Sequence, residues 1–334
     1  MIDHIIKDWK LKKYKPIYWL EGEEPYYMDK LTDYAADHLL NEDAKAFNLT
    51  VLYGKDSDWA TLVNACKRYP MQGDLQVVIV KEAQQLKDIE KIEPYVDNPL
   101  HSTVLIIAYK DKKVDGRTKF AKTLKTKGEL ITFKKIYENK LPEWTNALVV
   151  SKGNTIKSKA LILLTQHVGS DLNRLENEID KLIINLGERK EINEDDIEKY
   201  IGISKDYNAF ELQNALANKN MAKAIQIIQY FESNPKAAPI QLVLPTLYSF
   251  FAKVFLVYGV PSKSEYDIAN AIGVQAFMLK DYLTASQLYQ YSGTEKAILL
   301  LQHYNLKSVG LHSSANITDA QLLKELVYKI IYNV

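Results

Sequence analysis

Short apolar runs alternate with amphipathic segments along the first 135 or so residues of the chain. Five runs have the length and composition of buried strands, and helical patterns separate them. Strands that alternate with helices indicate a parallel sheet whose two faces are covered. The predicted strands are residues 16–20, 48–52, 76–80, 103–108 and 130–133.

Beyond the fifth predicted strand the strand signal stops, and helical periodicity continues to the C-terminus. Two helices are predicted at residues 142–150 and 156–168. A third begins at Ser170 or Asp171 and carries one apolar stripe, and Asn193 caps a fourth. The pattern predicts a small helical domain over about residues 141–203.

The remaining residues, 205–334, are again helical in pattern. Breaks are predicted near residues 234–235, 259–261 and 313–316, where proline, glycine or small polar residues cluster. The chain therefore divides into an α/β segment at 1–140 and two all-α segments, and its 334 residues suffice for two or three domains.

Composition narrows the functional classes. A net charge of +1 gives no global attraction to nucleic acid, so any such contact must be local. The single cysteine, Cys66, excludes an internal disulfide, fits a reducing cytoplasm and is expected to be a small buried residue. Residues 242–260 approach membrane length, but Pro245 and Lys253 favour a buried helix of a helical domain.

The junction after the first predicted strand has the position of a nucleotide-binding loop but the wrong residues. A phosphate-binding loop needs Gly-x-x-x-x-Gly-Lys-[Ser/Thr]. Gly22 is present, whereas Tyr27, Met28 and Asp29 replace the second glycine, the lysine and the hydroxyl. The alternative interpretation is a loop that never bound nucleotide.

Two further strand ends lack the groups of an ATPase. In such enzymes the strand at 76–80 would end in Asp-Glu, with the aspartate on Mg²⁺. Here the next residues are Lys81 and Glu82, which place a cation at the metal position. The strand at 103–108 runs into Tyr109 and Lys110 rather than a short polar residue. The pattern indicates the scaffold of an ATPase without its catalytic groups.

Several short motifs occur in a fixed order along nearly the whole chain. They are residues 20–26, 169–172, 177–182, 192–197, 208–212, 222–224, 268–274 and 306–308. Together their order and spacing resemble the delta subunit family of the bacterial DNA polymerase III clamp loader. The resemblance implies an AAA+-like parallel-sheet domain at 1–140, a small helical lid domain at 141–203 and a C-terminal helical collar domain for oligomerisation at 205–334.

The same resemblance implies a subunit that binds and opens the β sliding clamp for loading onto primed DNA. Its partners would be the ATPase (gamma/tau) and delta-prime subunits, in the cytoplasm and without a membrane. Active relatives carry an arginine early in the third lid helix, but Leu172 and Asn173 stand there and Arg174 comes too late. We therefore expect no catalytic site, no cofactor and no metal, although the polymerase holoenzyme as a whole is classed as a DNA-directed DNA polymerase.

In the family, a segment before the third strand inserts two apolar side chains into a pocket of the clamp. Met71 stands at the first of these positions and Gln72 at the second, which is usually aromatic. Tyr69 and Leu75 are the candidates to replace the missing bulk. Pro70 and Gly73 shape an exposed turn around Met71. The alternative is that Met71 packs in the core.

A basic segment at residues 110–135 holds ten Lys or Arg residues and three acids. Exposed cations there would follow a phosphate backbone and release its counterions. The alternative is a solvated helix face without a ligand. The candidate phosphate contacts are Arg117, Lys119, Lys122, Lys125 and Lys127.

Two other functions stay open at this point. One is a nucleotide-binding AAA+ ATPase with an unorthodox loop, which a nucleotide-binding measurement would reveal. The other is a helical adaptor outside replication that shares only the lid-and-collar plan, and co-purification with a sliding clamp distinguishes it. The substitutions at Tyr27, Met28, Lys81 and Leu172 argue against the ATPase.

Overall fold

The chain divides into two compact units, Met1–Ile136 and Tyr137–Val334. This division does not test the predicted boundary between lid and collar, because both lie in the second unit. The computed structural model describes residues 2–71, 73–235, 238–261, 264–311 and 317–333.

The first unit is organised by a five-stranded sheet. Its strands are β1 (Ile17–Gly22), β2 (Leu49–Tyr53), β3 (Gln76–Lys81), β4 (Thr103–Lys110) and β5 (Glu129–Phe133). They lie in the order β2-β3-β4-β1-β5, and every neighbouring pair is parallel. The predicted α/β fold class and its parallel sheet are confirmed, and each observed strand end lies within two residues of its predicted position.

The burial of the strands explains why apolar runs in the sequence predicted them. The central strands β1, β3 and β4 are buried on both faces, so most of their residues are apolar. Strand β2 lies at one edge of the sheet and is only half-buried. Its exposed edge becomes important for the turn that precedes β3.

Six α-helices accompany the sheet. Helix α4 ends at Cys66, which is fully buried as expected. Its burial raises the pKa of the thiol to about 12. The helices are α1 (Asp3–Lys10), α2 (Pro25–His38), α3 (Glu42–Asn48), α4 (Trp59–Cys66), α5 (Glu93–Asp97) and α6 (Lys119–Lys127).

The second unit begins with the predicted lid segment. Asp171, not Ser170, caps its third helix by accepting a hydrogen bond from the Arg174 N–H at 3.0 Å, and Asn193 forms the predicted cap. The expectation that strands end with the sheet is wrong, because two short strands pair in parallel here. The elements are α7 (Leu141–Ser151), β6 (Thr155–Ile156), α8 (Ser158–Val168), α9 (Leu172–Leu186), β7 (Glu191–Ile192) and α10 (Glu194–Asp196).

Six more helices lie in the described part of the predicted collar segment. The predicted breaks at 234–235 and 259–261 fall between helices, whereas the one at 313–316 lies outside the described residues. The long helix α15 bends at Gln290, whose φ is 57°. The helices are α11 (Ala209–Ala217), α12 (Met221–Ser233), α13 (Ile240–Val257), α14 (Glu265–Ile272), α15 (Leu279–Ser308) and α16 (Asp319–Tyr332).

Single-turn elements complete the described chain. Four are 3-10 turns and one is a π turn that follows α10 directly. They are Ala83–Gln85, Ile89–Ile92, Glu138–Lys140, Ala276–Met278 and Ile197–Ile201.

Helix α13 is the one described helix whose length and apolar composition would suit a membrane span. Its inward side chains, including Val243, Leu247 and Phe250, are buried in the hydrophobic core of the second unit. The core explains the apolar composition of α13, which agrees with the predicted buried helix.

Candidate functional site

Gly22 ends β1 at the point where a nucleotide loop would begin. Its φ is 120°, and a Cβ added there would lie 2.1 Å from the carbonyl oxygen of Phe133 in β5. No side chain fits that space, and the backbone conformation itself favours glycine. The close approach of β5, rather than a phosphate, therefore accounts for Gly22.

The N-terminus of α2 is occupied by the chain's own groups. A helix N-terminus binds phosphate through free backbone N–H groups. Here Pro25 has no N–H to offer, and Tyr26 donates its N–H to the buried carboxylate of Glu24 at 3.4 Å. An internal anion thus caps the helix where a phosphate would bind.

Tyr27 and Met28, the residues in place of the second glycine and the lysine, point into the core. Both side chains are buried, Met28 completely. The Tyr27 ring stacks on Phe133 with centroids 5.5 Å apart and an interplanar angle of 22°. The two side chains therefore fill space inside the first unit instead of lining a ligand site.

Asp29 takes part in a cluster of charges that we call the Lys110 ion cluster: Lys110, Asp29 and Glu82. The Lys110 Nζ lies 2.8 Å from Asp29 Oδ1 and 2.6 Å from Glu82 Oε1. Gln84 adds a hydrogen bond from its Nε2 to the other Glu82 oxygen at 2.6 Å. The cluster joins the ends of β3 and β4 to α2. In an ATPase these positions hold a triphosphate and its metal.

The pKa values of the cluster follow from this geometry. The hydrogen bond from Lys110 holds the pKa of Glu82 below its usual value of 4.5. Burial of Lys110 acts to lower the lysine pKa, but the hydrogen bonds to Asp29 and Glu82 outweigh it and raise the pKa above 10.5. Glu82 and Lys110 are therefore both charged at neutral pH.

Two other charged groups near the sheet are also satisfied. Lys81, at the metal position, pairs with Asp33 at 2.6 Å. The buried carboxylate of Glu21 accepts hydrogen bonds from the Trp19 indole, the Val114 N–H and the Thr132 hydroxyl at 2.9–3.2 Å. Within the described ranges, no group of three or more His, Cys, Asp or Glu side chains is arranged to hold a metal ion.

The position of the missing lid arginine is apolar in the structure as well. Leu172 is buried in the helical core formed around α9. Arg174 is exposed, and its backbone N–H serves the cap of α9.

Gly22, the start of α2 and the Lys110 ion cluster are together called the nucleotide region. The turn at residues 69–75, which we call the Met71 turn, differs from this region in its exposure. The Met71 side chain is 80% exposed and Tyr69 is 75% exposed, which excludes a core position for Met71. Pro70 and Leu75 are half-buried, and Gln72 lies outside the described residues. Gly73 has a φ of 78°, which supports the predicted role of glycine in the turn.

A buried asparagine ties the Met71 turn to the edge of the sheet. Asn48, the last residue of α3, is fully buried, and its Oδ1 accepts the Met71 N–H at 2.8 Å. The neighbouring Phe47 is 57% exposed. Sequence reasoning missed both residues, because a contact across 23 positions leaves no local pattern.

The basic segment separates into paired and unpaired cations. Arg117 pairs with Asp115 at 2.8 Å, and Lys119 pairs with Glu93 at 2.9 Å. The remaining candidates are exposed on α6 or at its end and have no carboxylate partner among the described residues. They are Lys122, Lys125 and Lys127.

Comparisons with known proteins find relatives along nearly the whole chain. A family model described as DNA polymerase III, delta subunit, matches residues 18–134. DNA polymerase III subunit delta of Bacillus subtilis is 26% identical over 339 residues, which cover 98% of this chain and 95% of that protein. The probable DNA polymerase III subunit delta of Aquifex aeolicus is 22% identical over 284 residues, or 79% and 77% of the two chains.

A solved structure shares the fold. The Bacillus subtilis DNA clamp loader delta protein matches with a TM-score of 0.59 and 21% identity, covering 99% of this chain and 100% of that one. Together with the sequence matches, this likeness confirms the resemblance that the ordered motifs indicated.

Proposed function

We propose that this chain, a delta-type subunit of a DNA polymerase III clamp loader, binds and opens a β sliding clamp without hydrolysing nucleotide. In this proposal it works in the cytoplasm, together with ATPase (gamma/tau) and delta-prime subunits, to load the clamp onto primed DNA. Residues 205–334 would join it to the other subunits.

The exposure of Met71 is the observation that carries the clamp contact. An apolar side chain that is 80% exposed on a shaped turn can enter a desolvated pocket on a partner. A few such anchors dominate the binding energy of many interfaces. Tyr69, Pro70, Gln72 and Leu75 belong to the same proposed contact.

The absence of hydrolysis is inferred from the occupied nucleotide region. A bound triphosphate would have to displace Glu24 from the N-terminus of α2 and break the Lys110 ion cluster. Both changes would leave buried or half-buried charges without partners, which costs several kcal/mol. The subunit is therefore expected to respond to nucleotide only through its neighbours.

The exposed lysines of α6 are proposed to contact the DNA backbone inside the assembled loader. Lys122, Lys125 and Lys127 are the candidates, because Arg117 and Lys119 already bind carboxylates of this chain. Such contacts add affinity without sequence preference.

The direct test mixes the purified full chain with its cognate sliding clamp in the absence of nucleotide. We expect a stable complex by surface plasmon resonance. No binding under any salt condition would remove the clamp-binding proposal and favour an adaptor outside replication.

A second measurement tests the ATPase alternative. A ligand at a hundred times its dissociation constant stabilises a protein by roughly 2.7 kcal/mol. We expect no change in melting temperature with Mg·ATP, whereas an active loader ATPase subunit, measured in parallel, should shift. Micromolar binding with hydrolysis by this chain would overturn the non-catalytic assignment.

A further inference from the structure

The hydrogen bond from the Met71 N–H to the Asn48 side chain fixes the backbone of the Met71 turn. It leaves the methionine side chain free to contact a partner. Asn48 is fully buried at the end of α3, and its side-chain oxygen accepts the Met71 N–H at 2.8 Å. A buried polar group holds its partner firmly because an unmade bond there is costly. The turn is therefore anchored to the corner between α3 and β2.

The same bond places Phe47 close to Met71. The alpha carbons of Phe47 and Met71 lie at most about 12 Å apart, because only one residue step, the Asn48 side chain and one hydrogen bond separate them. Phe47 is 57% exposed, although phenylalanine is a residue that folding normally buries. Phe47, Tyr69 and Met71 thus form a set of exposed apolar side chains around one buried anchor, which we call the apolar cluster.

The sheet register separates this cluster from other exposed side chains of β2. Leu49 pairs with Val77 and Tyr53 pairs with Lys81, so β2 starts beside the Met71 turn and runs away from it. Tyr53, also exposed at 51%, lies at the far end of the strand, about 13 Å from Leu49. Tyr53 is therefore outside the reach of a pocket that receives Met71.

We propose that Phe47 is a second apolar contact with the sliding clamp and that Asn48 is the positioning residue that aligns it with Met71. This inference rests on the proposed function and names residues of the same interface. Apolar anchors that bind one partner cluster in space rather than along the sequence. Phe47 supplies an aromatic ring where the turn itself has the polar Gln72.

The first test compares Phe47→Ala with Tyr53→Ala in clamp binding by the full chain. Both side chains are exposed aromatics, Phe47 on α3 and Tyr53 on β2, so neither change should shift the unfolding midpoint. We expect Phe47→Ala to weaken clamp affinity about tenfold and Tyr53→Ala to leave it unchanged. Equal affinities for the two variants, in a protein where Met71→Ala does weaken binding, would overturn the inference and leave the proposed function standing.

The second test concerns Asn48 and uses a double-mutant cycle, with affinity expressed per folded molecule. If Asn48 acts by holding Met71, Asn48→Ala should weaken binding about tenfold in the wild-type chain and hardly at all in the Met71→Ala variant. Equal losses in both backgrounds would show a general structural role and overturn the positioning assignment. If the wild-type chain fails to bind the clamp, the proposed function falls together with this inference.

Discussion

The nucleotide region and the Met71 turn lie in the same unit, but their side chains differ in whether they have partners within the chain or are exposed. In the nucleotide region the charged groups have internal partners: Glu24 caps α2, and Lys110 binds Asp29 and Glu82. At the Met71 turn the backbone is anchored internally and the side chains of Tyr69 and Met71 are exposed. The internal partners indicate a structural role for the first region, and the exposed side chains agree with the contact proposed for the second.

Two methionines give the sharpest test of this contrast. Met28 is fully buried, so Met28→Ala should cost about 2–5 kcal/mol of unfolding free energy. Met71→Ala should leave stability unchanged but weaken clamp binding about tenfold to hundredfold, since burying such a side chain contributes roughly 1.5–3 kcal/mol. Urea unfolding and surface plasmon resonance on both variants measure the two effects. A large stability loss for Met71→Ala would contradict the exposed turn.

Two glycines extend the comparison to the backbone. Gly22→Ala forces a Cβ against the Phe133 carbonyl and should destabilise the fold by about 3 kcal/mol or more. Gly73 also has a positive φ, but a Cβ added there would meet no heavy atom of the described residues within 4 Å beyond its chain neighbours, so Gly73→Ala should cost only about 1 kcal/mol. Urea unfolding compares them. The contrast fails if the Gly22 variant is no less stable than the Gly73 variant.

The Lys110 ion cluster should contribute less than the packed core. Lys110→Met leaves Asp29 and Glu82 close together without a cation, and we expect a loss of about 1–2 kcal/mol at neutral pH. Lys81→Met is the matched control, because its partner Asp33 is largely exposed and such a pair contributes about 0–1 kcal/mol. Thermal or urea unfolding of both variants checks the order.

The pH dependence of that loss follows from the pKa shifts. The pKa of Glu82 is lowered in the fold, so its contribution is present above the unfolded value near 4.5 and is lost as pH falls through the folded value. The pKa of Lys110 is raised, so its contribution is present below 10.5 and is lost as pH rises through the folded value. Unfolding at acid, neutral and alkaline pH should therefore show the difference between wild type and Lys110→Met shrinking at both extremes.

The smallest expected effect concerns the basic segment, where the same contrast recurs between paired and unpaired cations. A chain with Lys122, Lys125 and Lys127 all changed to Ala, assembled into the loader, should bind primed DNA more weakly and with a shallower salt dependence. The slope should fall by about one unit for each phosphate that the variant no longer neutralises. Arg117→Ala should change neither quantity, because Arg117 is bound to Asp115. Identical salt-dependence slopes for wild type and the triple variant would contradict a DNA contact by α6 and indicate a solvated helix face.

The features that the sequence predicted depend on residues close together in the chain, whereas most of those it missed depend on residues far apart. The strands were readable because β1, β3 and β4 are continuous apolar runs, and the Asn193 cap was readable because its partner Asp196 is three residues away. Strands β6 and β7 were missed because two residues carry no periodicity. The substitutions at the nucleotide loop were visible in the sequence, but their partners were not.

Contacts between residues far apart in the sequence account for the other features that the sequence did not predict. Lys110 reaches Asp29 across 81 positions, and Asn48 reaches Met71 across 23. No local pattern encodes either pairing. Sequence reasoning could therefore identify positions that lack the residues of an ATPase, whereas only the fold shows the ion pair that Lys110 and Asp29 form.

The Lys110 ion cluster also has an evolutionary consequence. Replacing Lys110 alone leaves two carboxylates facing each other, and replacing Asp29 and Glu82 leaves a lysine in a half-buried site without its counterions. Nucleotide binding would also need a free helix N-terminus in place of Glu24 and Pro25, and removal of the Glu24 side chain alone leaves the Tyr26 N–H without this acceptor. We expect each of these single substitutions to lower stability, so selection acting on one substitution at a time would retain both the ion cluster and the cap of α2.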